Sequence, residues 1–294
     1  MRVFVTGATG FVGSAVVREL IAAGHQVVGL ARSDKSAAAL QAAGAEVQRG
    51  SLEDINSLQE GVSAADGVIH LAFNHDFSNF AAAAEADGRA IEAIGAALEG
   101  TKKPLVVTSG TLALPLGRIG TEEDASVQST PRRSEEAAIV LAGRGVKSSV
   151  VRLSPSVHGP GEQGFVPVII DIAREKGFVA YVEEGLNRWP AVHQLDAARL
   201  FRLALEKGGT GAVYHGVDDE GVPFREIAEV IGRNLNLPVR SISREDADAY
   251  FGWLSFASSA DNPTSSALTR ECLGWRPTHP SLIADLEQGH YFTK

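Results

Sequence analysis

Short apolar runs alternate along this chain of 294 residues with Ala-rich segments of helical period. The first half contains, in order, RVFVT, FVGSAVVRELIAAG, HQVVGLA, SAAALQAAG and AEVQ, which predicts a strand–helix–strand–helix–strand start. The later runs GVIHLA, PLVVTS and KSSVVRL are continuously apolar, which is typical of parallel strands covered on both faces. The pattern predicts an α/β fold with a doubly wound parallel sheet, whose ligands bind at the carboxyl ends of the strands.

The alternation becomes irregular beyond about residue 155, where GPGEQG and EEGLNRWP are loop signals. Two helical segments follow, LDAARLFRLALEKG and PFREIAEVIGRNL. We therefore predict a first domain of residues 1–155, to which residues 190–217 return. Residues 156–189 and 218–294 are predicted to form a smaller C-terminal lobe that binds the substrate.

Composition narrows the classes of partner. The net charge of −9 and the pI near 5.4 disfavour nucleic acids and anionic membranes, and therefore favour a small-molecule substrate. Cys272 is the only cysteine, and no Cys/His spacing resembles a metal site. Neither a leader pattern nor an apolar run of membrane-spanning length is present. We expect a cytoplasmic protein without a bound metal.

A glycine-rich turn follows the first predicted strand. RVFVTGATGFVGSAVVREL places Gly7, Gly10 and Gly13 between that strand and an amphipathic helix. Glycines at this spacing serve a tight turn, a close backbone approach to a pyrophosphate, and close packing of helix on strand. The free N–H groups at the helix N-terminus favour negative charge. The turn predicts a Rossmann-type dinucleotide site, and further contacts are expected from three residues within it: Thr9, Phe11 and Val12.

The turn TGATGFVG resembles the TGxxGxxG motif of the extended short-chain dehydrogenase/reductase family, including its epimerase/dehydratase branch. Later segments resemble, in order, that family's fourth strand (VIHLA), fifth strand (VVTSGT), sixth strand with its loop (VVRLSPSVHGPG) and a later strand-to-helix segment (RWPAVHQLDAARLFRLAL). The resemblance spans nearly the whole chain. It implies an NAD(P)-binding N-terminal domain and a C-terminal lobe that holds the substrate over the nicotinamide.

The end of the second predicted strand bears on the choice of cofactor. An NAD site usually has a carboxylate there, which accepts hydrogen bonds from the adenosine ribose. Here Arg32 and Ser33 directly follow HQVVGLA, and a guanidinium beside a hydroxyl suits the 2′-phosphate of NADP(H). We predict NADP(H). The alternative is NAD(H), with Arg32 solvated or with Asp34 turned toward the ribose.

The resemblance implies further cofactor contacts. After the third strand the family often has Asp-Leu, whereas this chain has Ser51-Leu52, and serine would contact the adenine more weakly. Residues at the end of the fourth strand would pass beneath the nicotinamide ribose, although Leu71 also suits the core. The implied contacts are Ser51, Leu52, Leu71, Ala72, Phe73, Pro155 and Val157.

Most members of the family move the substrate proton with a Tyr-x-x-x-Lys pair, and this chain lacks it. None of the four tyrosines has lysine four residues later: Tyr181, Tyr214, Tyr250 and Tyr291. By resemblance, Gln128 and Arg132 take the two positions, and a helix is expected to begin at about Pro131. The usual active-site serine is also displaced, since TSGT places Gly110 at the aligned position.

Other side chains must then polarise the substrate. The hydroxyls of Ser109 and Thr111 flank the aligned glycine, and each can bond a substrate oxygen or only satisfy the loop. His158 lies where the family often has a tyrosine. The candidate catalytic residues are Ser109, Thr111, His158 and Arg132.

The residues predicted to contact the substrate follow the ends of predicted strands: Asn74, His75, Ser156 and Trp189. By resemblance, Trp189 replaces an arginine that clamps the diphosphate in sugar-nucleotide enzymes, which favours an apolar substrate. We predict an NADP(H)-dependent oxidoreductase that reduces a small, mostly apolar carbonyl or imine compound, or catalyses the reverse oxidation. The alternatives are a non-catalytic NADP(H) redox sensor and a sugar-nucleotide epimerase or dehydratase.

The resemblance also allows a homodimer through the helices that flank the fifth strand.

Overall fold

Residues 1–74, 79–127 and 132–293 are described in the computed structural model of the protein. Numbered along the chain, the strands within these ranges are β1 (Arg2–Thr6), β2 (Gln26–Ala31), β3 (Glu46–Arg49), β4 (Gly67–His70), β5 (Pro104–Gly110), β6 (Lys147–Leu153), β7 (Ser156–His158), β8 (Val179–Val182), β9 (Arg188–His193), β10 (Val213–Gly216), β11 (Asp219–Pro223) and β12 (Val239–Ile242). Seven of them form a parallel sheet in the order β10-β6-β5-β4-β1-β2-β3. The predicted doubly wound parallel sheet is confirmed.

Helices cover both faces of this sheet. Numbered along the described chain, the α-helices are α1 (Phe11–Ala22), α2 (Asp34–Ala42), α3 (Ile55–Ser63), α4 (Phe80–Leu98), α5 (Ser134–Gly143), α6 (Phe165–Lys176), α7 (Gln194–Lys207), α8 (Phe224–Leu235), α9 (Ala247–Phe251), α10 (Ser255–Ser259), α11 (Ala267–Leu273) and α12 (Leu282–Leu286). The apolar sides of α1, α2 and α7 pack on one face, and those of α3, α4 and α5 pack on the other. Burial on both faces explains why the strands are continuously apolar.

The register of the sheet aligns the strand ends that carry the site. Thr6 at the end of β1 lies opposite His70 at the end of β4. Ala31 at the end of β2 lies opposite Arg49 at the end of β3. Parallel strands therefore bring residues that are distant in sequence to one edge of the sheet.

A second apolar core lies among α6, α8, α9, β8 and β9. Its strands form a three-stranded sheet, β11-β9-β7, and a two-stranded sheet, β12-β8. Some residues depart from the predicted division: Leu273 and Trp275 pack into the core of the seven-stranded sheet, and Ala191 packs into the second core. The indole Nε1 of Trp275 donates to the backbone oxygen of Asp196, 3.0 Å away, at the start of α7. The division into 1–155 with 190–217, against 156–189 with 218–294, otherwise stays a proposal.

Two predicted segments differ in detail. The predicted strand KSSVVRL ends at Leu153 as β6 does, but the loop expected after it contains the short strand β7, which pairs with β9 in the other sheet. Pro155 separates them, since it has no N–H to continue a ladder. The helix expected from about Pro131 begins at Ser134, so Arg132 precedes it. Pro131 itself lies outside the described residues.

Among the described residues, no helix combines the length and the apolar character needed to cross a membrane.

Candidate functional site

The glycine turn has the geometry of an anion cradle. Gly7 has φ +67°, and a Cβ there would lie 2.7 Å from the backbone nitrogen of Ala72. A Cβ on Gly13 would lie 1.9 Å from the carbonyl oxygen of Gly7, so the helix packs directly on the turn. Gly10 caps α1 without a side-chain hydrogen bond, and the first turn of α1 has no acidic residue. The first N–H groups of α1 therefore suit the pyrophosphate of a dinucleotide.

Residues beside this turn lie at the carboxyl ends of their strands. The backbone nitrogen of Leu71 donates to the carbonyl of Thr6 at 3.3 Å, and that of Ala72 donates to the Thr6 hydroxyl at 3.3 Å. Thr9 is exposed, whereas Phe11 and Val12 are half-buried. The remaining implied cofactor contacts are all partly exposed, four of them in loops after strands and Val157 on β7: Ser51, Leu52, Phe73, Pro155 and Val157.

The ends of β2 and β3 carry two arginines. Arg32 is exposed, and Ser33 caps α2 by accepting a hydrogen bond from the Ser36 nitrogen at 3.1 Å. Arg49, opposite the last residue of β2, is exposed and bonds Asp34 at 2.6 Å. Asp34 therefore pairs with a cation in this structure. Arg49 was missed because the predicted third strand, AEVQ, stopped one residue before it.

Arg132 is fixed in the place where the resemblance puts the family's lysine. Its Nη2 donates to the carbonyl of Thr108, the third-last residue of β5, at 3.0 Å. Its Nε donates to the Ser134 hydroxyl at 2.8 Å, and its guanidinium lies 4.1 Å above the Phe73 ring. Burial lowers the pKa of Arg132, and the nearby negative charge of Asp87 opposes that shift.

Asp87 on α4 lies at the centre of a buried polar chain. The Ser134 hydroxyl donates to its Oδ2, and His70 bonds its Oδ1 at 3.0 Å. The other imidazole nitrogen of His70 bonds the Thr6 hydroxyl at 2.9 Å. Burial raises the pKa of Asp87, but the bond from His70, the positive charge of Arg132 and the bond from Ser134 outweigh it, so the pKa lies below its ordinary value. The carboxylate is therefore ionised at neutral pH.

The structure separates the two predicted hydroxyls at the end of β5. Ser109 is half-buried and is the second-last residue of β5. Thr111 is fully buried, and its hydroxyl donates to Asn262 at 2.8 Å while the Asn262 amide donates back to the Thr111 carbonyl at 3.0 Å. The Thr111 hydroxyl therefore holds the segment before α11, and its contact with a substrate stays a prediction.

Three other predicted residues lie inside the protein. His158 is 1% exposed, and its Nδ1 bonds Asp285 at 3.0 Å. Ser156 is fully buried on β7, and its hydroxyl has no partner among the described residues. Trp189 is fully buried, and its indole donates to the Ala257 carbonyl at 2.8 Å. All three side chains are buried in this structure, and their contacts with a substrate stay predictions.

Of the two predicted substrate residues after β4, Asn74 is exposed. His75 lies outside the described residues, as does Gln128.

The four tyrosines are held in other contacts. Tyr214 accepts from the Gly209 nitrogen at 3.0 Å, and Tyr181 lies beneath the Arg225 guanidinium. Burial raises the pKa of Tyr250 to about 12, and its hydroxyl donates to the Phe178 carbonyl. Among the contacts of the described residues, none joins these three side chains to Arg132.

The fourth tyrosine belongs to a second buried polar cluster. Tyr291 accepts from the Gly159 nitrogen at 2.9 Å and donates to Glu162 Oε2 at 2.6 Å. Burial raises the pKa of Glu162 to about 8, and the negative charge of Asp285 adds to the shift. The other carboxyl oxygen of Glu162 is buried without a partner among the described residues. A protonated Glu162 fits these contacts at neutral pH.

One group of side chains has the composition of a metal site: His193, Asp196 and His279. The two imidazole rings stack with centroids 4.7 Å apart and planes 9° apart. An ion lies in the plane of each imidazole that binds it, and two stacked parallel planes cannot share an ion. The Asp196 carboxylate already accepts the backbone N–H groups of residues 278 and 279. This geometry favours a structural role.

Comparisons with known proteins agree with the parallel sheet and the glycine turn described above. The model of the NAD dependent epimerase/dehydratase family matches residues 3–128. An uncharacterized protein of Schizosaccharomyces pombe is 51% identical, covering 99% of this chain and 100% of the relative. A 2-alkyl-3-oxoalkanoate reductase of Stenotrophomonas maltophilia is 30% identical, covering 81% of this chain and 77% of the relative.

Solved structures share the fold. The dTDP-glucose 4,6-dehydratase of Streptomyces venezuelae, solved with NAD bound, superposes with a TM-score of 0.79 over 99% of this chain and 97% of its own, at 18% identity. Similarity of sequence, strand order and glycine turn leads to one assignment. The chain belongs to the NAD-dependent epimerase/dehydratase family, within the extended short-chain dehydrogenases/reductases.

Proposed function

We propose that the protein is an NADP(H)-dependent oxidoreductase that reduces a small, mostly apolar carbonyl or imine compound, or catalyses the reverse oxidation. The observation that carries the proposal combines two features. Helix α1 begins after the glycine turn without a side-chain cap, and Arg32 and Arg49 lie at the ends of the neighbouring strands β2 and β3. The related 2-alkyl-3-oxoalkanoate reductase supports a carbonyl substrate.

The chain's own residues would bind and orient the reactants. The glycine turn and the N-terminus of α1 would hold the pyrophosphate, while Arg32, Ser33 and Arg49 would surround a 2′-phosphate. Bound NADPH supplies the hydride. Ser109 would donate a hydrogen bond to the substrate oxygen, and Arg132 would stabilise negative charge that develops there. An imine that is already protonated needs no further acid.

Removing either arginine should weaken binding of NADPH and leave NADH almost unchanged. A guanidinium–phosphate contact contributes about 1.5 to 3 kcal/mol, so Arg32→Ala should lower NADPH affinity about tenfold or more. Arg49→Ala should lower it less, because Arg49 must leave Asp34. Fluorescence titration with both cofactors measures this, with Arg18→Ala on the exposed side of α1 as the control. Equal affinity of the unmodified protein for NADPH and NADH would contradict the NADP(H) assignment.

Phenylalanine at any of the four tyrosine positions should leave turnover within about tenfold, whereas Ser109→Ala should lower it by a larger but incomplete factor. The reason is that none of Tyr181, Tyr214 and Tyr250 lies at the end of β5, and Tyr291 bonds Glu162. Steady-state kinetics on each variant tests this. A tyrosine variant that lost a factor of about 10³ with its cofactor affinity intact would place the proton donor elsewhere.

The reaction class is tested with a panel of ketones, aldehydes and cyclic imines. Steady oxidation of NADPH on any of them supports a reductase. Tight NADPH binding without turnover on all of them would favour the redox-sensor alternative, which the missing Tyr-Lys pair permits.

A homodimer is a further part of the proposal. Ile139 and Val140 on α5 are 46% and 52% exposed, on a helix that flanks β5. Apolar side chains on a surface helix suit a second copy of the chain. Light scattering of the protein and of Val140→Glu tests this, because a charge at the interface should yield the monomer.

A further inference from the structure

We propose that Asp87, acting through the Ser134 hydroxyl, is the positioning residue that aims Arg132 at the nicotinamide end of the dinucleotide. The inference rests on the proposed function, because it requires a bound dinucleotide. It assigns roles to Asp87 and Ser134, neither of which the sequence singled out.

The direction of the dinucleotide follows from the sheet. The pyrophosphate suits α1 after β1, and the arginines for the adenosine end lie after β2 and β3. The other end must therefore extend the opposite way, over β4 and β5. Arg132 bonds the carbonyl of Thr108 near the end of β5 and so lies on that side.

The described residues hold the guanidinium on two sides. Nε donates to Ser134, Nη2 donates to Thr108, and the Phe73 ring supports one face. Nη1 has no hydrogen-bond partner in the part of the chain that the structure describes, and about a quarter of the side chain, 24%, is exposed. Its two N–H donors suit an oxygen acceptor, either a hydroxyl of the nicotinamide ribose or the substrate oxygen.

Asp87 supplies the charge that keeps this cation in place. Its Oδ2 lies 4.0 Å from Arg132 Nε and accepts a hydrogen bond from the Ser134 hydroxyl. The same hydroxyl accepts from Arg132 Nε, so Ser134 links the cation to the carboxylate. An ionised carboxylate only accepts, so His70 donates to Asp87 from Nε2, and its Nδ1 accepts from the Thr6 hydroxyl. Asp87 is fully buried and cannot swing away. This series of hydrogen bonds thus connects Thr6, the residue before the glycine turn, to Arg132.

The test compares two ligands that differ at the nicotinamide end. NADPH contains the whole dinucleotide, whereas 2′,5′-ADP contains only the adenosine end with its 2′-phosphate. Arg132→Met should weaken NADPH binding about tenfold and leave 2′,5′-ADP within about twofold. Asp87→Asn and Ser134→Ala should show the same selective loss. The double variant Asp87→Asn/Arg132→Met should bind NADPH within about twofold of Arg132→Met alone, because both changes remove one interaction.

Glu85→Gln is the matched control, since Glu85 lies on the same helix and is exposed. It should alter neither affinity. Ser134→Ala keeps the test decisive if Asp87→Asn fails to fold, because it removes the relay and leaves both charges.

Two results would overturn the inference. One is NADPH affinity unchanged in Arg132→Met or in Ser134→Ala. The other is equal losses for both ligands, which would indicate a structural defect rather than positioning. Failure of the proposed NADP(H) site is distinguishable, because then the unmodified protein would bind neither ligand, and failure of the reductase activity appears only in the substrate panel.

Discussion

Gly10→Val should abolish dinucleotide binding and leave the chain folded. The backbone at Gly10, φ −72° and ψ 175°, is open to any residue, and a Cβ there approaches only the Gly7 carbonyl, at 3.3 Å. A branched side chain would nevertheless fill the space in front of the first N–H groups of α1. Loss of two charge-assisted hydrogen bonds to the pyrophosphate corresponds to about 3 to 6 kcal/mol, or at least a hundredfold in affinity.

The matched variant is Gly13→Ala, which should damage the fold itself. Its Cβ would lie 1.9 Å from the Gly7 carbonyl, and neither backbone can move without separating α1 from β1. We expect a loss of about 3 kcal/mol or more in the free energy of unfolding. Circular dichroism and NADPH titration distinguish the two glycines. Retained NADPH affinity in Gly10→Val would mean that the phosphates bind elsewhere.

Glu162→Gln should stabilise the protein at alkaline pH. The pKa of Glu162 is about 8 in the folded chain, against an ordinary 4.5, so the folded state holds a proton that the unfolded state has released between these values. The contribution of Glu162 to the free energy of unfolding is therefore fully present below about pH 4.5, falls as the pH rises, and is lost above about pH 8. The full shift corresponds to roughly 3 to 5 kcal/mol.

Glutamine mimics the protonated acid and can still accept from Tyr291. The variant should match the parent near pH 4.5 and exceed it by several kcal/mol at pH 9, in urea unfolding followed at several pH values. Glu245→Gln, at an exposed site in the same lobe, controls for the loss of one negative charge. A variant whose stability ran parallel to that of the parent across this range would show that Glu162 is ionised throughout.

The sequence by itself determined the sheet and the dinucleotide turn. Both depend on local signals, since alternating apolar strands and helices allow few packings and Gly7 and Gly13 admit no other residue. Arg32 was visible for the same reason, as it directly follows a predicted strand. The absence of the Tyr-x-x-x-Lys pair was likewise visible in the chain itself.

Only the tertiary structure decided which polar side chains are accessible. Thr111 and His158 lie at strand ends as Ser109 does, yet Asn262 and Asp285, more than 120 residues later, bond them. Asp87 carries no sequence signal, because it is one acid on an amphipathic helix. Its role arises from packing α4 beside β4 and the start of α5, which joins residues 17 and 47 positions away. Such contacts depend on the distance between elements in space, which the local pattern of the sequence does not encode.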